Sequence, residues 1–213
     1  MSVEEPRLPQ PTVDMKRAWR FVTWAGLLGS SFYLACVIGI PRIKFLTELG
    51  ATAFDFGLIT GLASAALAFQ IVGSILGNRI RRRKPIWMAM AIVHRLFYLG
   101  VLFAPFFSNS PRMRIAWLMM VFFLSDTLAQ TGSPIWLSWM ADILPKESMS
   151  RYWAARQRFI TAFNILVMVA IAVGFHFFEI NDRVVPGFII LVSIGVALGV
   201  TDILMFLGVP EPL

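Results

Sequence analysis

The sequence has few of the charged residues that a soluble domain needs on its surface. They make up 15% of the 213 residues, whereas soluble domains carry about 25%. Hydrophobic residues make up 58%, and they form long runs that are apolar on every side of a helix rather than along one stripe. This composition excludes a soluble globular domain and indicates an integral membrane protein.

Cysteine is also scarce, since Cys36 is the only one and lies within an apolar run. An intramolecular disulfide and a paired-cysteine metal site are therefore excluded. No zinc-protease, phosphate-binding-loop or other catalytic motif is present, so we expect no cofactor, no metal and no enzymatic activity. Residues 1–18 contain Glu4 and Glu5 but no apolar stretch, which excludes a signal peptide and predicts a cytoplasmic tail.

Six apolar runs are each long enough to cross a bilayer, which takes about 20 helical residues. The sequence predicts an all-α, polytopic membrane protein with six transmembrane helices in one bundle over 19–208, followed at 209–213 by the start of a linker. Pro41 is expected to end the first helix, and a short interfacial helix is expected in the loop 141–158. The predicted spans are 19–40, 54–76, 85–107, 115–137, 159–178 and 187–208.

The net charge of +7 has an explanation in topology rather than in nucleic-acid binding. Lys and Arg collect on the cytoplasmic side of membrane proteins, and here most of them lie in the N-terminal tail and in the second and fourth loops. Both termini are therefore predicted to be cytoplasmic, in the cell membrane or inner membrane. The basic residues of that side are Arg7, Lys16, Arg17, Arg20, Arg79, Arg81, Arg82, Arg83, Lys84, Lys146, Arg151, Arg156 and Arg158.

Two charged residues lie near the middle of predicted spans, Arg95 in the third and Asp126 in the fourth. A charge at that depth costs roughly 2.5–3.5 kcal/mol on insertion scales. The two residues have similar depth on consecutive antiparallel helices, so they are expected to be able to pair. Such a pair either fixes helix packing or forms part of the polar lining of a substrate or ion pathway, and the sequence leaves both open.

Further polar residues within spans are Gln70, Gln130 and Asn164, which either join helices by hydrogen bonds or face a cavity. Asp202 is expected at the membrane interface. Two patterns of glycines four residues apart, Gly57 with Gly61 and Gly195 with Gly199, predict close helix packing.

Two segments follow a known pattern. Between the second and third helices the chain reads Ser74-Ile75-Leu76-Gly77-Asn78-Arg79-Ile80-Arg81-Arg82-Arg83. This resembles the major facilitator superfamily signature G-x-L-x-D-[RK]-x-G-[RK]-[RK], in which Arg79, Arg82 and Arg83 match and Asn78 stands in place of the aspartate. The stretch from Trp136 to Pro145, followed by Arg151, is similar to the family's loop after its fourth helix, and the segment from Glu48 to Leu58 is similar to the start of its second helix.

The resemblance implies a secondary transporter of a small solute that works by alternating access. Members have two six-helix halves with the substrate near the midplane between them, so this chain corresponds to the N-terminal half. It is then either a fragment, which Pro210-Glu211-Pro212 favours as the start of a linker, or a half that pairs with a second copy in the bilayer. The alternative is a six-helix membrane protein without transport activity that acts as an assembly partner.

By the same resemblance the first and fourth helices line the substrate cavity, and the loops after the second and fourth helices form a cytoplasmic gate. The implied pathway residues are Ser30, Tyr33, Asp126 and Gln130. Arg95 would orient Asp126 or meet an anionic substrate, and Gln70 is a further candidate from its polar side chain within a span. The implied gate residues are Asn78, Arg79, Arg82, Arg83, Asp142 and Arg151.

Overall fold

The computed structural model describes residues 13–143 and 146–211, and in these ranges it contains helices and no strand. Residues 1–12 of the expected tail, Pro145 of the fourth loop and the last two residues of the expected linker lie outside the described ranges. The α-helices are α1 (Val13–Phe32), α2 (Ile40–Glu48), α3 (Ala53–Ala66), α4 (Phe69–Arg79), α5 (Arg83–Phe97), α6 (Gly100–Phe107), α7 (Pro111–Ile143), α8 (Lys146–Glu179) and α9 (Val184–Met205).

These helices form six segments that are long and apolar enough to cross a membrane, as the sequence predicts. The second span consists of α3 and α4, and the third of α5 and α6, each joined by a tightened turn of backbone hydrogen bonds three residues apart. The spans, numbered first to sixth below, are Arg17–Glu48, Ala53–Arg79, Arg83–Phe107, Pro111–Ile143, Met149–Glu179 and Val184–Gly208.

The first span does not end at Pro41 as expected. After α1 it continues as a π-helix over Tyr33–Val37, breaks at Gly39, where φ is 105°, and resumes as α2. Pro41 lies in the first turn of α2, a position where its missing N–H has no hydrogen bond to lose. The expected loop is therefore a helix, and it is held in place because Phe45 and Leu46 are buried.

The helix of the first span begins before residue 19, and the interfacial helix predicted in 141–158 needs correction. Helix α1 already begins at Val13. The fourth span extends to Ile143, and α8 runs without a break from Lys146 to Glu179, so the expected interfacial helix is the first part of the fifth span. Tyr152 packs there against Trp19 of the first span, with ring centroids 5.1 Å apart, which explains why a charged stretch continues the helix.

The sixth span contacts three other spans. It packs against the first and third spans, the fourth packs against the second and third, and the fifth packs against the first and sixth. One buried cluster surrounds Phe32, Tyr98 and Phe188. A second, around Trp87 and Trp139, lies where the chain after the sixth span meets the starts of the first and third spans. We call this end of the bundle, with the turn over 80–82, the basic end.

The two glycine patterns differ in what they contact. A Cβ atom on Gly195 would lie 2.5 Å from the Cys36 sulfur, and one on Gly199 would lie 2.8 Å from Cδ of Arg95, so both are needed for close packing. Gly57 and Gly61 would meet no atom within 4 Å in the described part of the chain. The close packing predicted for Gly195 and Gly199 is therefore confirmed, and the contact predicted for Gly57 and Gly61 is wrong among the described residues.

Gly73 marks the closest approach of the second and fourth spans, and it provides a test of the packing. A Cβ atom there would overlap the backbone carbonyl oxygen of Thr131, which cannot rotate away. We expect Gly73→Ala to lower the free energy of unfolding by about 1–3 kcal/mol, as overpacking does. The measurement is unfolding of the purified protein in detergent micelles. Gly61→Ala, in the same span, is the matched control and should cost nothing, and equal losses in both variants would contradict the packing.

Candidate functional site

Arg95 pairs with Asp202 of the sixth span and not with Asp126. Its Nη2 atom donates to Oδ2 of Asp202 at 3.0 Å, and the two side chains are 16% and 6% exposed. The guanidinium group also lies 4.3 Å from the centroid of the Phe32 ring. Gly29 and Gly199 leave the space that the pair occupies. Of the two expectations for Arg95, the geometry matches a buried ion pair that fixes helix packing.

Asp202 was expected at the membrane interface and is instead buried, at 4% exposure. The reason is its position against the first and third spans, where its carboxylate meets Gly29 and Arg95. The segment after the sixth span folds back across the basic end. There Trp139 Nε1 donates to the Pro210 carbonyl at 3.2 Å, and Lys84 Nζ donates to the Val209 carbonyl at 2.7 Å. This segment therefore covers the end of the sixth span.

Asp126 is left half-buried near the middle of the fourth span. It has no ion pair and no side-chain hydrogen bond to any described residue. Arg42 of α2 is the opposite charge whose field acts on it, but the Arg42 guanidinium stacks on Phe122, 4.0 Å from the ring centroid, and donates to the Val37 carbonyl. Asp126 therefore remains available to a group outside the bundle.

Two side-chain hydrogen bonds join spans at mid-depth. Gln70 Nε2 donates to Gln130 Oε1 at 2.7 Å, linking the second and fourth spans. Ser30 Oγ donates to Asn164 Oδ1 at the same distance, linking the first and fifth spans. Tyr33 lies one turn beyond Ser30 and is 51% exposed. The structure thus pairs Gln70 with Gln130 and leaves Tyr33 on the outer surface of the bundle.

The second span carries a row of exposed polar side chains, which we call the polar stripe. It runs from mid-span to the basic end and consists of Thr60, Ser64, Gln70, Ser74 and Asn78, all exposed. The three hydroxyl groups donate to carbonyl oxygens four residues earlier, a local bond that helices in membranes tolerate. The Gln70 and Asn78 side-chain amides make no such bond within the helix. Gln70 donates to Gln130 of the fourth span, and the Asn78 amide has no hydrogen-bond partner among the described residues.

Exposed polar groups at mid-depth are costly against lipid, because hydrocarbon offers no hydrogen-bond partners. Gln70 is exposed and Gln130, Asn164 and Asp126 are half-buried, each near the middle of a span. The second, fourth and fifth spans contribute to this set, and Ser30 near the middle of the first span is half-buried as well. By contrast, Arg95 of the third span is paired with Asp202 of the sixth. The faces of these four spans that carry the mid-depth polar side chains are therefore suited to water or to another protein rather than to lipid.

Of the six expected gate residues, the structure brings two together. Arg83 Nη1 donates to Asp142 Oδ2 at 2.5 Å, which ties the turn after the second span to the end of the fourth. Arg83 also donates through Nε to the Gly77 carbonyl at 3.3 Å. The remaining four make no ion pair or side-chain hydrogen bond to described residues and are exposed: Asn78, Arg79, Arg82 and Arg151.

Sequence reasoning left Asn164 outside the candidate pathway and Asp202 outside the buried set. Asn164 had a usable signal, because it lies near the middle of the fifth span, at the same depth as Ser30 in the first. No sequence signal showed that Arg95 pairs with Asp202 rather than Asp126, because that choice depends on which spans are neighbours. No protein-family model, curated protein or solved structure matches this chain.

Proposed function

We propose that this membrane protein is one half of a secondary transporter that carries a small solute by alternating access. The observation that carries the proposal is the set of mid-depth polar side chains on the outer faces of the first, second, fourth and fifth spans. A polar surface in the middle of a bilayer requires water or a second protein surface against it. A solute pathway between this bundle and a second six-helix half supplies both.

The basic end supports the same proposal. The turn after the second span resembles the superfamily signature, and its Arg83 is bound to Asp142 at the end of the fourth span. That ion pair joins two loops which, in the family, form the cytoplasmic gate. With the basic end in the cytoplasm, both chain termini lie on that side of the cell membrane or inner membrane, in keeping with the distribution of Lys and Arg.

The residues divide into two roles in this proposal. Ser30, Tyr33, Asp126 and Gln130 line the pathway, with Gln70 holding Gln130. Arg95 supports the bundle through Asp202 and does not contact the solute. The second half is either a second copy of this chain or a separate six-helix segment. The chemistry of the pathway is that of solute binding, without an enzymatic step.

Uptake by cells tests the transport function. A strain that lacks this protein is compared with the same strain carrying the unaltered chain or the Asp126→Asn variant, so that any native partner half is present. We expect the unaltered chain to change accumulation of at least one solute in a panel of labelled amino acids, sugars, carboxylates and cationic dyes. Asp126→Asn, which removes the unpaired mid-depth charge, should return accumulation toward that of the deletion strain.

Equal amounts of both proteins in the membrane fraction are the control for that comparison. Accumulation that never differs from the deletion strain would count against transport and favour the assembly-partner alternative. Full activity of the Asp126→Asn variant would remove Asp126 from the pathway.

A further inference from the structure

A pocket of about 650 Å³ opens at the basic end. Its walls come from three parts of the chain: the turn after the second span, the end of the fourth span and the segment after the sixth. A group bound there would touch all three. The lining residues are Ile80, Arg81, Arg82, Arg83, Trp139, Asp142 and Glu211.

The carboxylates of this pocket already have partners, and two of its guanidinium groups have none. Asp142 accepts from Arg83 at 2.5 Å, and Glu211 accepts from the backbone N–H of Lys84 at 2.8 Å. Arg81 and Arg82 are exposed and make no ion pair or side-chain hydrogen bond to described residues. The pocket therefore offers unused donors and positive charge, which suit an anion with several oxygen atoms.

A phosphate group is the anion that matches this chemistry best, because guanidinium groups bind phosphate through paired N–H donors. The surroundings indicate its source. Ile71, Val72 and Ile75 of the second span are 66%, 51% and 52% exposed. Ile71 and Ile75 each follow a polar-stripe residue by one position, which places them about 100° round the helix from that stripe. These exposed apolar side chains thus lie in roughly the last two and a half turns of the second span, just before the turn that lines the pocket.

We propose that Arg81 and Arg82 bind the phosphate of an anionic phospholipid whose acyl chains lie along Ile71, Val72 and Ile75. The headgroup then joins the turn after the second span to the fourth span and to the segment after the sixth. A ligand that binds only the folded state stabilises it, and the stabilisation rises with the logarithm of the ligand concentration once that concentration exceeds the dissociation constant. The lipid is thus a structural partner of the basic end, and this role does not depend on transport.

Thermal unfolding of the full chain tests the lipid site, with phosphatidylglycerol, phosphatidylcholine or inorganic phosphate added to the protein in detergent. We expect phosphatidylglycerol to raise the unfolding midpoint more than phosphatidylcholine does. In Arg81→Gln/Arg82→Gln the apparent affinity for phosphatidylglycerol should fall about tenfold or more, as expected for the loss of two cations beside an anionic headgroup. Arg81→Lys/Arg82→Lys keeps the charge, and its affinity for phosphatidylglycerol should lie between those of the unaltered chain and Arg81→Gln/Arg82→Gln.

Arg20→Gln/Arg158→Gln is the matched control, because it removes two exposed arginines that lie outside the pocket. It should keep the full response to phosphatidylglycerol. An unchanged response in Arg81→Gln/Arg82→Gln, or an equal loss in the control, would overturn the assignment. A shift of the same size with inorganic phosphate alone would show a soluble anion as the ligand and would overturn the lipid.

Discussion

Replacing Asp202 with alanine is expected to lower the free energy of unfolding by about 3–5 kcal/mol, the cost of breaking a buried ion pair. The substitution leaves Arg95 charged near the middle of the third span, where its Nη2 atom now lies 3.0 Å from the carboxylate. The surrounding glycines and the Phe32 ring offer no replacement acceptor. Unfolding by sodium dodecyl sulfate in mixed micelles, followed by circular dichroism, measures the loss.

The double variant Arg95→Met/Asp202→Ala distinguishes the ion pair from ordinary packing. Removing both charges ends the cost of the uncompensated one, so the double variant should regain most of the stability lost in Asp202→Ala. If the stability losses measured separately in Arg95→Met and Asp202→Ala simply add in the double variant, Arg95 and Asp202 do not act as a pair. Asp126→Asn should leave stability nearly unchanged, because Asp126 has no described partner to lose.

The number, type and approximate position of the spans could be predicted from the sequence, because length and hydropathy determine them almost alone. The ends of the spans could not, because they depend on contacts between distant parts of the chain. Phe45 and Leu46 are buried and turn an expected loop into α2. Tyr152 against Trp19 likewise makes an expected interfacial helix part of the fifth span.

The candidate site shows the same division. Depth along a span was readable, so Arg95 and Asp126 were expected near the middles of their spans, where the structure has them. Which of these side chains pair with each other could not be predicted from the sequence, because pairing depends on the order of helices around the bundle. Packing of the sixth span against the third gives Arg95 to Asp202 and leaves Asp126 without a partner among the described residues.

Cysteine labelling can test the outer faces of the first, second, fourth and fifth spans. If they border a solute pathway, a cysteine placed there should meet water at mid-depth. The chain is well suited to the test, because its single cysteine, Cys36, is fully buried and should stay unmodified. Leu166 provides the matched control, since it is 68% exposed and lies about 200° round the fifth span from Asn164.

The most direct measurement is the rate at which a charged, membrane-impermeant thiol reagent modifies Gln130→Cys, Ser30→Cys and Leu166→Cys in sealed membrane vesicles. The reagent needs a hydrated thiolate, so the first two should react at least about tenfold faster than Leu166→Cys, which faces lipid in this account. Rates as slow at Gln130→Cys and Ser30→Cys as at Leu166→Cys would mean that no water reaches these faces, and would contradict a transport pathway there.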